Sequence, residues 1–320
     1  MKNLFLLFMG VSFLVISSCE KKPDITSENK DILNRVEVLW NTGDLAKIDD
    51  MFGTDFVNHD PNAPDVNDLE GYKEFIVMTR TAFPDFHVTS EDMIAEGDKV
   101  VSRWTAQGTQ QGELLGIAPT SKHATWTGIS IYRFADGKIV EAWWFKDMLG
   151  LLQQLMVILP MPDGPPFMDR KPEEYLWGEP SAVTGYHGDP EANKALYLRE
   201  IEEVWHQGNL DVVDDIFSTN FVNHDPYWGA PDRRSYKQWV ASQLPSAPRL
   251  TVDDIVAEGN RLACRWTSRF TDPASGKQVK CVGVDICRFA DGKIVERWWS
   301  KDILGVLQQL GVIPPPEQGG

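Results

Sequence analysis

The sequence predicts an α+β protein made of two tandem cone-shaped barrels, each with helices packed on a strongly curved antiparallel sheet. The chain has 320 residues, which is more than one ordinary core accommodates and enough for two domains of about 100–150 residues each. Two long segments of the chain repeat each other. In each repeat, helical periodicity precedes a series of alternating strands, an order typical of α+β folds.

The internal repeat defines the domain organisation. The stretch FVNHDP at residues 56–61 recurs at 221–226, and FADGKIVE at 134–141 recurs unchanged at 289–296. Between the copies the chain is rich in Pro and Gly and lacks apolar periodicity, which indicates a connector. We predict the following segments: domain 1 at 30–158, a linker at 159–192, domain 2 at 193–313 and a tail at 314–320.

The first part of each copy carries the helical pattern. Residues 32–40 place apolar side chains every three or four positions and predict an amphipathic helix. A short helix is predicted through residues 45–52, and another near 70–83 that ends at Pro84. These helices are expected to cover one face of the sheet.

The second part of each copy carries the strand pattern. Residues 88–95 and 100–106 flank a Glu-Gly-Asp turn, and 129–134 and 139–145 flank Asp136-Gly137, a strong hairpin signal. A curved sheet under helices leaves a cone-shaped space, and the mouth of that space is a natural pocket.

The N-terminus predicts a lipoprotein signal peptide at residues 1–18, and with it export of the chain. Residues 1–18 combine a basic start with a short apolar run, and small residues directly precede Cys19. This ending resembles the bacterial lipobox, which implies lipidation of Cys19 and a tether over 19–29. We therefore expect a lipid-anchored protein of the cell envelope, periplasmic or on the outer surface, that touches the membrane through its anchor only.

Composition excludes several functions. The formal net charge of −16 disfavours nucleic acid, which needs a basic face. The six histidines show no metal-binding spacing, and neither a phosphate-binding glycine loop nor a nucleophile elbow is present, so we expect no metal and no cofactor. The remaining cysteines, Cys264, Cys281 and Cys287, are expected to be buried thiols.

A carboxylate ends the last predicted strand of each copy. Strand alternation places Glu141, Trp143, Phe145 and Asp147 on one face. A carboxyl in apolar surroundings has a raised pKa, which suits proton transfer, so Asp147 and its counterpart Asp302 are candidate general acid/base residues. The alternative is that Asp147 is the N-cap of the segment that begins at Met148. The spacing fits both interpretations equally.

The FVNHDP stretch supplies a second candidate. His59 could carry a proton at the pocket mouth, although Asn and Asp before Pro are also ordinary turn residues. Arginines inside predicted strands need a carboxylate or an anionic ligand, and tryptophans suit a pocket wall. The candidate ligand-binding residues are Asn58, Trp104, Arg133, Trp143, Asn223, Trp266, Arg288 and Trp298.

These motifs, together with GELLGIAPTSK at 112–122 and Gln153-Gln154-Leu155, are similar to the SnoaL-like polyketide cyclases, also called ester cyclases, of the nuclear transport factor 2-like superfamily. The resemblance implies a cone-shaped barrel in which the final-strand Asp is the acid/base for an intramolecular aldol closure, helped by the early His. Position by position, it implies catalytic roles for Asp147, His59, Asp302 and His224.

The chain departs from the characterised cyclases at two places. Arg133 and Arg288 occupy the position of a second family histidine, which favours an arginine-bound anionic or enolate oxygen. Copy two lacks the long glycine-containing loop, so its pocket is expected to be reshaped or idle.

Three functions remain open at this point. The first is a cofactor-independent acid/base enzyme that acts on a small carbonyl or ester compound. The second is a lipoprotein that binds a hydrophobic or anionic small ligand without catalysis. The third is a structural module whose sheets pair with another subunit. An internal pseudo-dimer of the two copies, or a homo-oligomer, is compatible with all three.

Overall fold

The computed structural model describes residues 25–158, 187–225, 227 and 230–314. The predicted signal peptide, Cys19 and most of the predicted linker lie outside the described residues. Two α+β domains follow each other along the chain, each with a five-stranded sheet, so the predicted fold class is confirmed.

Domain 1 begins with the long amphipathic helix that the apolar spacing predicted. Its elements are α1 (Ile25–Thr42), a 3₁₀ turn (Leu45–Lys47), α2 (Ile48–Met51), β1 (Phe52–His59), α3 (Leu69–Ala82), β2 (His87–Glu96), β3 (Lys99–Thr109), β4 (His123–Ala135), β5 (Lys138–Lys146) and α4 (Met148–Gln154). Helix α1 buries Leu33, Val36 and Trp40 against the sheet.

Domain 2 repeats this order with one change in its first helix. Its elements are α5 (Pro190–Arg199), a π-helical continuation (Glu200–His206), α6 (Val212–Ile216), β6 (Phe217–His224), α7 (Arg233–Gln243), a 3₁₀ turn (Leu244–Ser246), β7 (Arg249–Glu258), β8 (Arg261–Thr271), β9 (Gln278–Ala290), β10 (Lys293–Lys301) and α8 (Ile303–Leu310). Domain 2 has one more residue between its buried Asn193 and Trp205 than domain 1 has between the equivalent Asn29 and Trp40. The π-helical turn accommodates this extra residue.

The strand order is β1-β5-β4-β3-β2 in domain 1 and β6-β10-β9-β8-β7 in domain 2. The edge strand β1 differs from the predicted antiparallel arrangement, because it runs parallel to β5. Parallel neighbours cannot be joined by a tight hairpin. The connection from β1 to β5 is accordingly long and contains α3 and strands β2 to β4.

The two sheets pack against each other through the faces that point away from their own helices. Their shared core contains Ile129, Ile131 and Phe145 from domain 1 with Val284, Ile286 and Trp298 from domain 2. The copies therefore form an internal pseudo-dimer. The helical side of each sheet encloses a separate core.

Ion pairs at this interface occur in symmetric sets. Glu258 accepts hydrogen bonds from Lys30 and from the Ala95 N–H, and Glu96 does the same for Lys194 and the Ala257 N–H. Each glutamate thus ties the first helix of one domain to an edge strand of the other. Partly buried pairs of this kind fix the relative position of the two sheets.

Cys264, Cys281 and Cys287 are free and buried. Burial raises the pKa of the Cys281 thiol to about 12. No helix among the described residues is long and apolar enough to cross a membrane.

Candidate functional site

Domain 1 encloses a cup between its helices and its sheet. The cup has a cavity of about 80 Å³. Aromatic side chains from both layers form its wall: Trp40, Phe75, Phe83, Phe86, Trp104, Trp126, Tyr132 and Trp144. Trp104 and Trp144 come from β3 and β5, whose inward residues alternate with those of the interdomain face. The cup therefore suits an apolar or aromatic ligand.

Two charged side chains line this cup, Glu37 from α1 and Lys146 from β5. Glu37 Oε2 accepts a hydrogen bond from the Ser90 N–H at 2.8 Å. Lys146 donates to Asp60 Oδ2 at 2.5 Å and lies 4.8 Å from the centre of the Phe75 ring. Both groups of the pair are almost fully buried. The cup thus holds a proton acceptor and a cation within an apolar wall.

Two polar atoms of domain 1 are buried without a hydrogen bond, Trp144 Nε1 in the cup wall and Asn58 Oδ1 near the end of β1. The equivalent atoms of domain 2 bond each other, since Trp299 Nε1 donates to Asn223 Oδ1 at 2.9 Å. A buried donor without a partner is costly, and a polar ligand atom in the cup would satisfy Trp144 Nε1.

The carboxylates predicted to act in catalysis cap the terminal helices. Asp147 Oδ1 accepts from the Gly150 N–H at 2.7 Å, and Asp302 Oδ1 accepts from the Gly305 N–H at 2.9 Å. The N-cap interpretation is therefore confirmed, and neither residue lines a cup. Strand alternation explains this, because Asp147 and Phe145 share the interdomain face while Lys146 faces the cup.

Each of these aspartates also meets the opposite domain. Tyr227 Oη donates to Asp147 Oδ1, and Asn62 Nδ2 donates to Asp302 Oδ1 at 3.1 Å. Burial raises the pKa of the Asp302 carboxyl, and the hydrogen bonds from Gly305 and Asn62 oppose this only in part. The two carboxylates are thus part of the contact between the domains.

The predicted histidines lie on the same interdomain face. His59 stacks on Trp143 with ring centres 5.2 Å apart, and its Nε2 lies 2.9 Å from Glu141 Oε1. His224 stacks on Trp298 in the same way and lies 2.9 Å from Glu296. Neither histidine lines a cup. The structure therefore brings His59 together with Trp143, and His224 with Trp298.

The strand arginines have carboxylate partners, as their chemistry predicted. Arg133 Nε donates to Glu141 at 2.8 Å, and Arg288 Nε donates to Glu296 at 2.8 Å. Burial would raise the pKa of the Glu141 carboxyl, but the hydrogen bonds from His59 and Arg133 outweigh it and lower that pKa. Of the predicted ligand-binding residues, Trp104 and Trp266 line cups, and Trp143 and Trp298 lie between the sheets.

The family model for SnoaL-like polyketide cyclases matches the chain twice, over residues 30–155 and 195–310. The chain belongs to the SnoaL-like polyketide cyclase family. Both SnoaL-like domains fall within the α+β units described above. Among the described residues, no three His, Cys, Asp or Glu side chains come together in a way that could hold a metal ion.

Similar proteins correspond in length to one SnoaL-like domain. Aklanonic acid methyl ester cyclase DnrD of Streptomyces peucetius is 24% identical over 139 residues, 42% of this chain and 94% of that protein. Aklanonic acid methyl ester cyclase DauD of Streptomyces sp. (strain C5) is 27% identical over 142 residues, 42% of this chain and 85% of that protein. Among solved structures, TsrD from Streptomyces laurentii is 28% identical over 40% of this chain and 95% of that chain, with a TM-score of 0.38.

The second SnoaL-like domain fills the deep part of its cone with a charged cluster. Arg297 donates to both oxygens of Glu200 and lies 3.2 Å from Asp285 Oδ2. Tyr236 donates to Glu200 at 2.6 Å, and Tyr197 donates to Asp285 at 2.9 Å. Burial raises the pKa of the Asp285 carboxyl to about 6, although Arg297 opposes the shift.

The first SnoaL-like domain has small or apolar residues at the positions of this charged cluster. The aligned elements place Val36, Ala142 and Ser130 opposite Glu200, Arg297 and Asp285. Domain 2 nevertheless has a cavity of about 430 Å³ near Trp239, Trp266, Trp299 and Lys301, larger than the cup of domain 1. The two cups therefore differ in their buried charges and in the volume of their cavities.

Sequence reasoning missed the charged groups of the cup. Glu37 lies on α1 between the buried residues Val36 and Trp40, and the helical pattern does not distinguish a side chain that faces a cavity from one that faces solvent. Lys146 directly precedes Asp147, so the same strand alternation that assigned one face to Asp147 assigns the opposite face to Lys146. The signal for Lys146 was present, but the cup lies on the other side of the sheet from the one expected.

Proposed function

We propose that domain 1 is a cofactor-independent acid/base enzyme of the cyclase type, acting in its cup on a small carbonyl or ester compound. The observation that carries this proposal is that one aromatic cup is lined by both a carboxylate, Glu37, and an ammonium group, Lys146. A carboxylate can remove a proton from carbon next to a carbonyl, and a buried ammonium can stabilise the enolate oxygen that forms. The family membership supports this reaction class.

In the proposed reaction, Glu37 takes the proton from the carbon next to one carbonyl, and the bond electrons move to that carbonyl's oxygen. Lys146 and the unpartnered Trp144 Nε1 donate hydrogen bonds to this oxygen. The enolate carbon then attacks a second carbonyl of the same molecule, a carbon–carbon bond forms, and the new alkoxide takes up the proton. Atoms balance, and no oxidant or cofactor is needed.

Catalytic roles for Asp147, His59, Asp302 and His224 also remain proposals. Their side chains lie on the interdomain face, so such a role requires the substrate to bind between the domains and not in the cup. The variant Asp147→Asn in the proton-exchange assay tests this for Asp147.

We expect α-proton exchange in D₂O to detect the activity before the natural substrate is identified. A panel of aryl ketones that carry a methyl ester is followed by NMR. Glu37→Gln and Lys146→Met are each expected to slow enzyme-dependent exchange at least about tenfold, because general acid/base groups contribute about 10²–10⁴-fold. Since Lys146→Met leaves Asp60 buried, the double variant with Asp60→Asn is measured beside it.

The matched control is Lys301→Met with Asp225→Asn, which alters the equivalent buried pair of domain 2. It is expected to retain exchange activity. Equal exchange in wild type and Glu37→Gln would reject the proposed base. Loss of exchange in Asp147→Asn alone would transfer the role to that residue. Bound ligand in native mass spectrometry with no exchange on any compound would favour the non-catalytic binding lipoprotein.

We also propose that the protein is exported and held at a membrane surface by acyl chains on Cys19. The apolar run and the small residues before that cysteine support this proposal. Cells fed an alkyne-labelled fatty acid should label the wild-type chain and not Cys19→Ser. The variant is expected in the soluble fraction, because each buried CH₂ contributes about 0.8 kcal/mol to membrane binding. Labelling of Cys19→Ser at the wild-type level would contradict the anchor.

A further inference from the structure

A cleft of about 540 Å³ opens between the two domains, on the opposite side of the domain 1 sheet from the cup. Its domain 1 wall includes Val57, Pro61, Pro64 and Phe145, and its domain 2 wall includes Trp266 and Val282. Its charged side chains are Arg265 and Lys280, with Asp60 and Asp253. Asp60 is neutralised by Lys146, and Asp253 accepts a hydrogen bond from Thr267, so the apolar walls and the two basic side chains suit an amphiphilic anion.

Arg265 is the central basic group of this cleft. Its guanidinium lies 4.9 Å from the centre of the Trp143 ring, whose other neighbour is the stacked His59. Arg265 Nε is buried and makes no hydrogen bond, and the nearest carboxylate contact is at 3.8 Å, from Nη1 to Asp253 Oδ2. A guanidinium held in place with an unused donor is a ready site for a carboxylate or phosphate oxygen.

The pseudo-symmetric position in the other half is closed. There Arg103 lies 4.8 Å from the Trp298 ring and forms an ion pair with Glu91, and its side chain is 2% exposed against 22% for Arg265. Domain 2 has Asp253 in place of Glu91. The shorter side chain makes only the 3.8 Å contact with Arg265, without a hydrogen bond, and it accepts from Thr267 at 2.7 Å.

A second difference between the copies adds charge to the same cleft. Lys280 of β9 occupies the position that Thr125 holds in β4, because Gly128 pairs with Lys146 of β5 and Gly283 pairs with the equivalent Lys301 of β10. Lys280 is exposed, and no ion-pair partner for it exists among the described residues. The first difference leaves Arg265 with a weaker carboxylate contact than Arg103 has, and the second adds one positive charge to this half of the interface.

We propose that the interdomain cleft is a second binding site, for an organic anion with an apolar body, whose anionic oxygens contact Arg265 and Lys280. The site is separate from the cup and does not depend on the activity proposed there. His59, 43% exposed, forms the rim.

The test is a calorimetric titration of the full chain with 2-naphthoate, compared with the neutral 2-naphthalenemethanol. Wild type is expected to bind the carboxylate at least about tenfold more tightly than the alcohol. Arg265→Gln should abolish this preference, and Lys280→Thr, which introduces the domain 1 residue at an exposed position, should weaken carboxylate binding about threefold to tenfold.

A control tests whether a surface charge alone accounts for binding. Arg35→Gln removes one exposed positive charge from α1 and is expected to leave binding unchanged. The proposal is overturned if 2-naphthoate does not bind, if Arg265→Gln keeps the preference for the carboxylate, or if Arg35→Gln and Lys280→Thr weaken binding equally.

Discussion

Arg297→Met is expected to lower the free energy of unfolding by about 3–5 kcal/mol, because the substitution leaves Glu200 and Asp285 buried without their cation. All three side chains are at most 1% exposed. The Arg297 guanidinium also lies within 5.6 Å of the ring centres of Tyr197, Phe217, Tyr236 and Trp299, so its removal exposes a cavity lined by aromatic rings. Urea denaturation followed by tryptophan fluorescence measures the change.

A triple variant separates loss of charge compensation from loss of packing. Glu200→Val and Asp285→Ser introduce the domain 1 residues, and together with Arg297→Met they remove all three charges. This variant should recover most of the stability, since replacing a whole buried ion cluster by apolar groups is often neutral or stabilising. A triple variant as unstable as Arg297→Met would show that shape, and not the uncompensated carboxylates, accounts for the effect.

Trp298→Ala is expected to be the most damaging substitution between the sheets, with a loss of about 3–5 kcal/mol. The indole is 2% exposed and is held between His224 and Arg103, within the core that the two domains share. Removal of the ring creates a cavity at the interface and leaves the Arg103 guanidinium without its aromatic surface. Urea denaturation with an unchanged m-value would show that stability alone was altered.

Trp143→Ala is the matched control, because Trp143 occupies the same place in the other half of the pseudo-dimer. It stacks between His59 and Arg265 but borders the open cleft and is only partly buried. We expect roughly half the loss of Trp298→Ala, since the apolar area removed from water is smaller. Equal losses for the two tryptophans would contradict the asymmetry of the interface.

The sequence by itself determined the architecture. The repeat, the helical spacing of residues 32–40 and the Asp136-Gly137 turn were enough to predict two α+β domains and the positions of α1, β4 and β5. Such features depend on local periodicity and turn chemistry, which neighbouring residues in the chain specify. The ionic partners of the strand arginines were likewise foreseeable, because a guanidinium in a sheet requires a carboxylate or an anion.

Only the tertiary structure decided which face of the sheet is the cup. Alternation correctly grouped Glu141, Trp143 and Phe145, but period two gives two equivalent faces, and both carry aromatic residues here. The second domain covers the face of Asp147, whereas the helices of domain 1 enclose the face of Lys146. Packing between residues more than a hundred positions apart determines which face is enclosed by helices, and the local sequence pattern does not contain this information.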